Sequence, residues 1–203
     1  MNEAEHAEAL ERVLRLMNVG DTAARCNAVW QAASLADPAA VDAILLRADD
    51  DGLEWFEDDE SPYGVLVVQV TVAEVLGTLA DPRAIPTLLR LAEKSNSEVR
   101  RAATVALGKS RDARGVAKLI QFTRDGDWNI SRSNEESCRD IRLEAVRALG
   151  EIGDQRAVER LSELAADHDP DYREAAIEAL RKIAAKKKGG GRASTLGGRD
   201  DVP

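Results

Sequence analysis

The sequence predicts an all-α fold, a right-handed α-solenoid of about five helical repeats with an N-terminal capping helix. Three observations support this prediction. Variants of one pattern occur five times, and self-similarity of this kind is typical of stacked-repeat architectures. Apolar residues recur at the spacing of one helix face. Only 3% of the 203 residues are aromatic although 44% are hydrophobic, which favours a core of closely packed Ala, Leu, Val and Ile side chains.

The clearest copy of the pattern begins at Arg100 and reads Arg-x-x-Ala-x-x-Ala-Leu-Gly, followed four residues later by Asp112. Its small residues allow neighbouring helices to approach each other. Its glycine is expected near the C-terminal end of the first helix, where glycine relieves backbone strain. The aspartate then starts a second, amphipathic helix, so each copy predicts a pair of helices.

Signals for the start of a helix recur at the expected places. An aspartate caps free backbone N–H groups, and proline fits the first helical position because its missing N–H costs nothing there. Second helices start in this way at Asp37-Pro38, Asp81-Pro82, Asp112 and Asp154. Ser61-Pro62 and Asp169-Pro170 are predicted to start first helices by the same chemistry.

In chain order, the capping helix comes first, with Leu10, Val13, Leu14 and Met17 on one face. The solenoid is predicted to span residues 1–185. Its repeats lie near residues 21–48, 62–94, 97–124, 137–167 and 170–185, with insertions at 49–61 and 125–136. These boundaries imply ten helices: one cap, four pairs and a final helix. The basic, glycine-rich residues 186–203 are predicted to form a disordered tail, because they cannot bury apolar area.

The Arg-x-x-Ala-x-x-Ala-Leu-Gly-x-x-x-Asp pattern resembles the short HEAT repeat named after the phycobilisome-lyase proteins, over roughly residues 21–185. The resemblance implies a HEAT-like α-solenoid. It leaves the function open, because this repeat family includes scaffolds, adaptors, chromophore-handling proteins and a few enzymes. One function implied by the resemblance is that of a bilin-lyase-type or chromophore-handling subunit, which would need a partner subunit and a chromophore.

Composition restricts the partner and the compartment. The net charge of −9 makes nucleic acid an unlikely partner, since a duplex binder normally has a basic footprint. A HEAT-like nucleic-acid-binding protein therefore stays a remote alternative. The apolar stretch 65–72 is too short to span a bilayer, and the acidic start lacks a signal peptide. Cys26 and Cys138 occupy unrelated repeat positions, which fits a reducing compartment. We therefore expect a cytoplasmic protein without membrane contact.

The sequence lacks the residues of common catalytic sites. It has two histidines, His6 and His168, whereas the HEAT-repeat di-iron hydroxylases need several His-Glu pairs. It also lacks a glycine-rich phosphate loop and Cys-Cys metal spacing. We therefore predict that the chain is not an enzyme and that it has no catalytic residues and no cofactor. The predicted function is a non-catalytic scaffold or adaptor that binds another protein or a peptide.

Each insertion carries acidic residues around a tryptophan, and this is the least generic feature of the chain. In one hypothesis, Trp55, Phe56 and Trp128 form two recognition prongs for a partner. In the other, the tryptophans fold back over Val70 and Leu143, apolar positions that directly follow the insertions. Large apolar side chains usually bury when a surface is available, so packing is the favoured interpretation. Partner contacts would then use the charged rim around the tryptophans.

Trp30 occupies a repeat position where the other copies carry Glu74, Val105, Arg147 and Glu178. That position is expected to face outward. Trp30 therefore either packs under the capping helix or marks a contact surface. Packing is favoured, because the capping helix must lie nearby.

The exposed faces of the second helices carry a second set of partner-binding candidates. In HEAT-like stacks the second helices line the concave side, so cations stacked in register would form a basic groove. Such a groove suits an acidic peptide or a phosphate-bearing partner, although acidic neighbours dilute the charge. We call these residues the basic stripe: Arg83, Arg90, Lys94, Arg114, Lys118, Arg156 and Arg160.

The second insertion also resembles a calcium-binding loop. Asp125, Asp127, Asn129 and Glu136 match positions 1, 3, 5 and 12 of an EF-hand loop, where oxygen ligands surround the ion. However, Ile130 stands where the EF-hand needs glycine for its sharp turn. Acid-rich loops match such short motifs by chance. An acidic loop without a metal is therefore the favoured interpretation, and these four residues are the candidate ligands of the alternative.

Overall fold

The computed structural model describes residues 2–35, 37–56, 64–124 and 135–193, without the side chains of residues 53–66, 135–137 and 188–193. The described residues form ten α-helices and one two-stranded hairpin. The helices are α1 Glu3–Val19, α2 Thr22–Ser34, α3 Pro38–Leu46, α4 Val68–Leu79, α5 Ile85–Leu91, α6 Ser97–Ser110, α7 Val116–Phe122, α8 Glu135–Ile152, α9 Val158–Leu164 and α10 Pro170–Ala193. In chain order they are a capping helix, four consecutive pairs and a final helix. The predicted all-α repeat fold is confirmed.

The N-terminal unit, Met1–Ser110, is a compact stack of helices. Its first helices pack in series, α1 on α2, α2 on α4 and α4 on α6. Helix α3 packs on α2, and α5 contacts both α4 and α6. Met17, Ile44, Leu76, Leu88 and Leu107 are fully buried in the core. The buried Met17 shows that α1 covers the end of this core, as predicted for a capping helix.

The C-terminal unit, Arg111–Pro203, has its own core. Helix α8 packs on α10 and α7, and α9 packs on α10. Leu119, Ile141, Leu149, Leu161 and Ile183 are buried between these helices. Each unit therefore buries the apolar face of every first and second helix that it contains.

The glycine of the Ala-Leu-Gly motif lies where two first helices come into contact. A Cβ atom on Gly77 of α4 would lie 2.7 Å from both Cα and Cβ of Ala106 in α6. A Cβ on Gly150 of α8 would lie 2.8 Å from Cα of Ala179 in α10. The motif therefore presents its glycine to the next first helix and its alanine to the preceding one. The motif glycine serves close helix approach, and the expected relief of strain at the helix end is not its role.

The strained helix ends lie a few residues after the motif glycine. Ala80, Arg111 and Gly153 have φ values of 50°, 53° and 73°, in the left-handed region. The N–H of Ala80 donates to the carbonyl of Leu76 at 3.2 Å, and that of Gly153 to the carbonyl of Leu149 at 3.0 Å. This geometry satisfies carbonyls that a helix end leaves without partners.

The predicted aspartate caps are confirmed. Asp37 accepts a hydrogen bond from the N–H of Ala39 at 2.7 Å and so caps α3. In three other repeats the aspartate accepts from the N–H two residues later, and a short 3-10 turn leads into the second helix. These pairs are Asp81–Arg83 at 2.8 Å, Asp112–Arg114 at 2.9 Å and Asp154–Arg156 at 2.9 Å. Each arginine also donates through its guanidinium to the same carboxylate.

Ionisation of these capping carboxylates is favoured by their arginines. The guanidinium hydrogen bond from Arg156 and, after it, the backbone N–H of Arg156 lower the pKa of Asp154 from its ordinary value. The pKa values of Asp81 and Asp112 are lowered by the same contacts. The charged form of each aspartate therefore stabilises the start of its second helix.

The first insertion contains a β-hairpin, which the sequence analysis did not predict. Strand β1, Leu53–Phe56, pairs antiparallel with β2, Gly64–Val67, with Trp55 opposite Val65. The predicted helix start at Ser61-Pro62 is wrong, because residues 64–67 are extended and α4 begins only at Val68. The Val65-Leu66-Val67 run accounts for this, since apolar and β-branched residues favour strands. Ser61 and Pro62 themselves lie outside the described residues.

The final helix is longer than predicted. Helix α10 was expected to end at about Ala185, with a disordered tail from residue 186, but it continues to Ala193. Alanine and lysine are strong helix formers. Lys186 Nζ also donates to the carbonyl of Ile152 at 2.6 Å, which fastens this part of α10 to the end of α8. Residues 194–203 lie outside the described part of the chain.

Replacing Gly77 with valine tests the close helix approach. The added side chain would meet the backbone of Ala106, so α4 and α6 must separate. We expect a loss of about 1–3 kcal/mol in the free energy of unfolding, measured by urea denaturation. Lys109→Val, at an exposed position of α6, is the control and should change stability by about 0.5 kcal/mol or less. An unchanged stability for Gly77→Val would contradict the contact.

Replacing Asp154 with asparagine tests the ionised cap. Asparagine keeps the capping oxygen but loses the charge that pairs with Arg156. A lowered pKa stabilises the fold above the ordinary pKa of aspartate, and this stability is lost as the pH falls through the folded-state value. The variant should therefore melt at a lower temperature than the wild type at pH 7, and the difference should shrink towards pH 3.

Melting curves between pH 3 and pH 7 measure this difference. Asp140→Asn, at an exposed position of α8, is the matched control and should not reproduce the pH dependence. If Asp154→Asn melts as the wild type does at every pH, the ion pair contributes nothing to the stability of the repeat.

Candidate functional site

The basic stripe of the N-terminal unit is engaged in contacts between successive second helices. Arg83 donates to Asp42 at 2.7 Å, which links the start of α5 to α3. Arg90 of α5 donates to Asp49, and Lys94 lies 3.8 Å from the same carboxylate. The three predicted cations thus face two acidic residues from the preceding repeat.

The basic stripe of the C-terminal unit shows the same arrangement. Arg156 donates to the carbonyl of Ala113 at 2.7 Å, and Arg160 donates to the carbonyl of Thr123 at 2.5 Å. Lys118 lies 5.5 Å from the ring centroid of Phe122. The Arg156 and Arg160 contacts again connect a second helix to the repeat before it, whereas Lys118 and Phe122 lie in the same helix. Most stripe residues therefore join repeats, and partner binding through the stripe stays a prediction.

The repeated arginine of the first helices is also structural. Arg100 donates to the carbonyls of Lys94 and Ser95, at 2.7 and 2.8 Å, and so fastens the connection between α5 and α6. Arg173 donates to the carbonyl of Asp167 at 2.9 Å in the corresponding connection before α10. Both contacts satisfy carbonyl groups near the end of a second helix, so this repeated arginine has a structural role.

The two tryptophan insertions are described only in part. Trp55 and Phe56 lie on β1, where the structure describes their backbone. Trp128 lies outside the described residues. Val70 and Leu143, the positions that the tryptophans were expected to cover, are both half-buried. The choice between packing and recognition therefore stays a prediction.

The calcium candidates are likewise beyond what the structure describes. Asp125, Asp127 and Asn129 fall outside it, and Glu136 lies on α8 without a described side chain. Within the described residues, no three or more His, Cys, Asp or Glu side chains are grouped so as to hold a metal ion.

Trp30 is 47% exposed on α2, although α1 packs against that helix. Nearly half of the side chain therefore stays exposed, and the choice between packing under α1 and a contact surface stays a prediction. Val19 and Leu46, at the ends of α1 and α3, are 76% and 73% exposed. The N-terminal unit thus presents three large apolar side chains to its surroundings.

An open groove on the C-terminal unit was not predicted. It lies along the outer faces of α8 and α10 and has a volume of about 1040 Å³. Leu143 and Ile177 contribute its apolar wall, and charged residues of both signs line the rest. Ile177 is 38% exposed. The repeat alignment does not reveal this groove, because the residues that correspond to Ile177 in the four earlier repeats are completely buried: Val29, Ala73, Thr104 and Val146.

Two of the four cations that line this groove are held in local ion pairs. Arg147 lies 2.7 Å from Glu144, and Arg181 lies 3.6 Å from Glu178. Both pairs join residues one helical turn apart with largely exposed arginine side chains, and such pairs contribute little to stability. The two guanidinium groups can therefore exchange their carboxylate partners for those of a ligand at little cost.

The comparisons with known proteins agree with the repeat pattern. A family model described as HEAT repeats matches residues 52–137 and 127–189. The phycocyanobilin lyase subunit alpha of Synechococcus elongatus is 31% identical over 125 residues, which cover 59% of this chain and 44% of that protein. The chain thus spans less than half the length of this curated relative.

Two solved structures share the fold. One is a chain of the complex of CpcE and CpcF of phycocyanin lyase from Nostoc sp. PCC7120, with a TM-score of 0.62 and 23% identity, covering 94% of this chain and 71% of that chain. The other is an engineered protein, with a TM-score of 0.52 and 21% identity over 88% of this chain and 81% of that one. Among the described residues, none of the helices combines the length and apolar character needed to cross a membrane.

The similarity to a lyase subunit overturns the prediction that the chain is not an enzyme. That prediction rested on a search for a self-contained set of catalytic residues. A subunit that shares its reaction with a partner or a chromophore does not require such a set in its own sequence.

The family itself is clear. Since the HEAT-repeat model matches well over half of the chain, the protein belongs to the HEAT-repeat family.

Proposed function

We propose that the chain is a bilin-lyase-type subunit, which handles an open-chain tetrapyrrole chromophore together with a second protein. The observation that carries this proposal is the 31% identity over 125 residues with a phycocyanobilin lyase subunit. The role replaces the scaffold interpretation as the main hypothesis. The scaffold interpretation also predicted binding to another protein. We retain that prediction, now as a contact between two subunits.

The groove between α8 and α10 is the proposed chromophore site. Its volume of about 1040 Å³ is at the upper end of the range for small-molecule sites, about 300–1,000 Å³. A bilin combines a conjugated apolar skeleton with two propionate carboxylates. In our proposal the skeleton lies against Leu143 and Ile177, and the carboxylates pair with Arg147 and Arg181.

Contact with the second protein is proposed for the residues that the sequence analysis selected. Trp55, Phe56 and Trp128 lie in the two insertions. Residues of the basic stripe keep part of their side chains exposed to solvent in addition to the contacts that they make within the protein. Arg83 and Arg156, for example, keep 47% and 58% of their side chains exposed. The cytoplasmic location remains part of this proposal.

Titration with free phycocyanobilin tests the function. We expect a saturable shift of the bilin absorbance spectrum when the purified chain is added. Because the proposed partner contributes to handling, the titration is repeated on the complex recovered by native purification of the tagged chain. If neither sample changes the spectrum, the chain does not handle bilins, and the proposed function is wrong.

Substitution of the groove arginines tests the site. The double variant R147Q/R181Q removes two charge-assisted contacts, so bilin affinity should fall at least about tenfold. The matched control is R15Q/R101Q, because Arg15 and Arg101 also form exposed ion pairs within one helix. The control should bind as the wild type does. A spectral shift that the groove variant retains in full would place the chromophore elsewhere on the chain.

A further inference from the structure

The end of α10 extends beyond the core of its unit. Ile183 is 1% exposed and is the last buried residue among those whose side chains are described. Residues 184–187 are all exposed, and the helix continues to Ala193. At about 1.5 Å per residue, the ten residues 184–193 span about 15 Å. We call this segment the basic arm.

We propose that the basic arm docks on a carboxylate-rich protein surface. It carries four cations, Lys186, Lys187, Lys188 and Arg192, and no acidic residue. No acidic residue occurs anywhere between Glu178 and Asp200. The arm is therefore a positively charged segment of a chain whose net charge is −9.

Acidic residues at the base of the arm are already engaged. Glu151 lies 2.6 Å from Lys182 and 3.5 Å from Arg111. Asp154 attracts Lys186 but is hydrogen-bonded to Arg156. These carboxylates are committed to other cations, and neither has a described contact with Lys187.

Helix stabilisation does not account for the whole arm. Cations near a helix C-terminus interact favourably with the helix dipole, but this effect falls off within the last turn. Lys186 and Lys187 lie more than one turn before Ala193. Lys186 has a structural contact, its hydrogen bond to the carbonyl of Ile152. No described contact assigns such a role to Lys187, which is exposed.

A protein surface fits the arm better than nucleic acid does. The N-terminal unit contains 10 basic and 19 acidic residues and holds the whole net charge of −9, so the protein lacks the extended basic footprint typical of a nucleic-acid binder. Proteins that bind single strands also stack bases on aromatic side chains. The arm has none, since its other residues are alanine and glycine.

A membrane surface is disfavoured for a related reason. Helices that lie on a bilayer combine a cationic face with large apolar residues that enter the lipid. After Ile183 the arm offers only the alanines at 184, 185 and 193 and three glycines. Lysine-rich contact with carboxylates needs no such apolar face, and it gives an association that weakens as salt is added.

Fluorescence anisotropy with labelled poly-L-glutamate tests the proposal on the full chain. The variant K187Q/K188Q/R192Q removes three cations and retains Lys186, which contacts Ile152. Glutamine has nearly the helix propensity of lysine, so the circular dichroism spectrum should not change. The matched control, R12Q/R15Q/K109Q, removes three exposed cations from the N-terminal unit and alters the net charge equally.

We expect the arm variant to bind poly-L-glutamate at least tenfold more weakly than the wild type, and the control less than twofold more weakly. Equal effects of the two variants, or no effect of the arm variant, would overturn the proposal. The same titration with a single-stranded DNA oligonucleotide and with phosphatidylserine vesicles tests the class of partner. Tighter, arm-dependent binding of either probe than of poly-L-glutamate would overturn the assignment to a protein. These outcomes are independent of bilin binding, because the substituted residues lie outside the groove.

Discussion

Close contact between first helices is the constraint on which the rest of the structure depends. At Gly77 and Ala106, and again at Gly150 and Ala179, there is no room for one additional carbon atom between helices. These contacts join the second repeat to the third and the fourth repeat to the fifth. On the layer of second helices, Arg83–Asp42 and Arg156–Ala113 join the second repeat to the first and the fourth to the third. Small residues therefore set the contact between first helices, and arginines link the second helices.

Residues that recur in every repeat and residues that occur once have different roles in this protein. The repeated aspartates cap helices, and the repeated arginines satisfy backbone carbonyls or neighbouring carboxylates. Features found once are the groove beside Ile177 and the basic arm of α10. Both belong to the final helix, whose outer surface differs from the buried surfaces of the earlier first helices. Ligand and partner binding are therefore proposed at positions where the repeat pattern is broken.

Helices and caps were predictable from sequence because their signals are local. Asp81 and Asp154, for example, cap helices through N–H groups two residues away. The hairpin and the extension of α10 depend on pairing and docking between separate segments, such as the contact of Lys186 with Ile152. The groove could not be predicted, because the sequence does not show which faces of α8 and α10 are covered by neighbouring helices. The similarity to a lyase subunit was not anticipated as the main interpretation, because the chain carries no self-contained catalytic motif.

The hairpin is closed at its base by a hydrogen bond from the N–H of Val68 to the carbonyl of Gly52, at 3.1 Å. The two ends of the insertion therefore leave and rejoin the helical stack at almost the same point. The base of the hairpin already holds the two ends of the insertion together. Lengthening the part between the strands therefore adds little to the entropic cost of loop closure. Evolution can exchange or extend the sequence between β1 and β2 while α3 and α4 keep their packing. The same point is suited to the grafting of a foreign peptide onto this repeat stack.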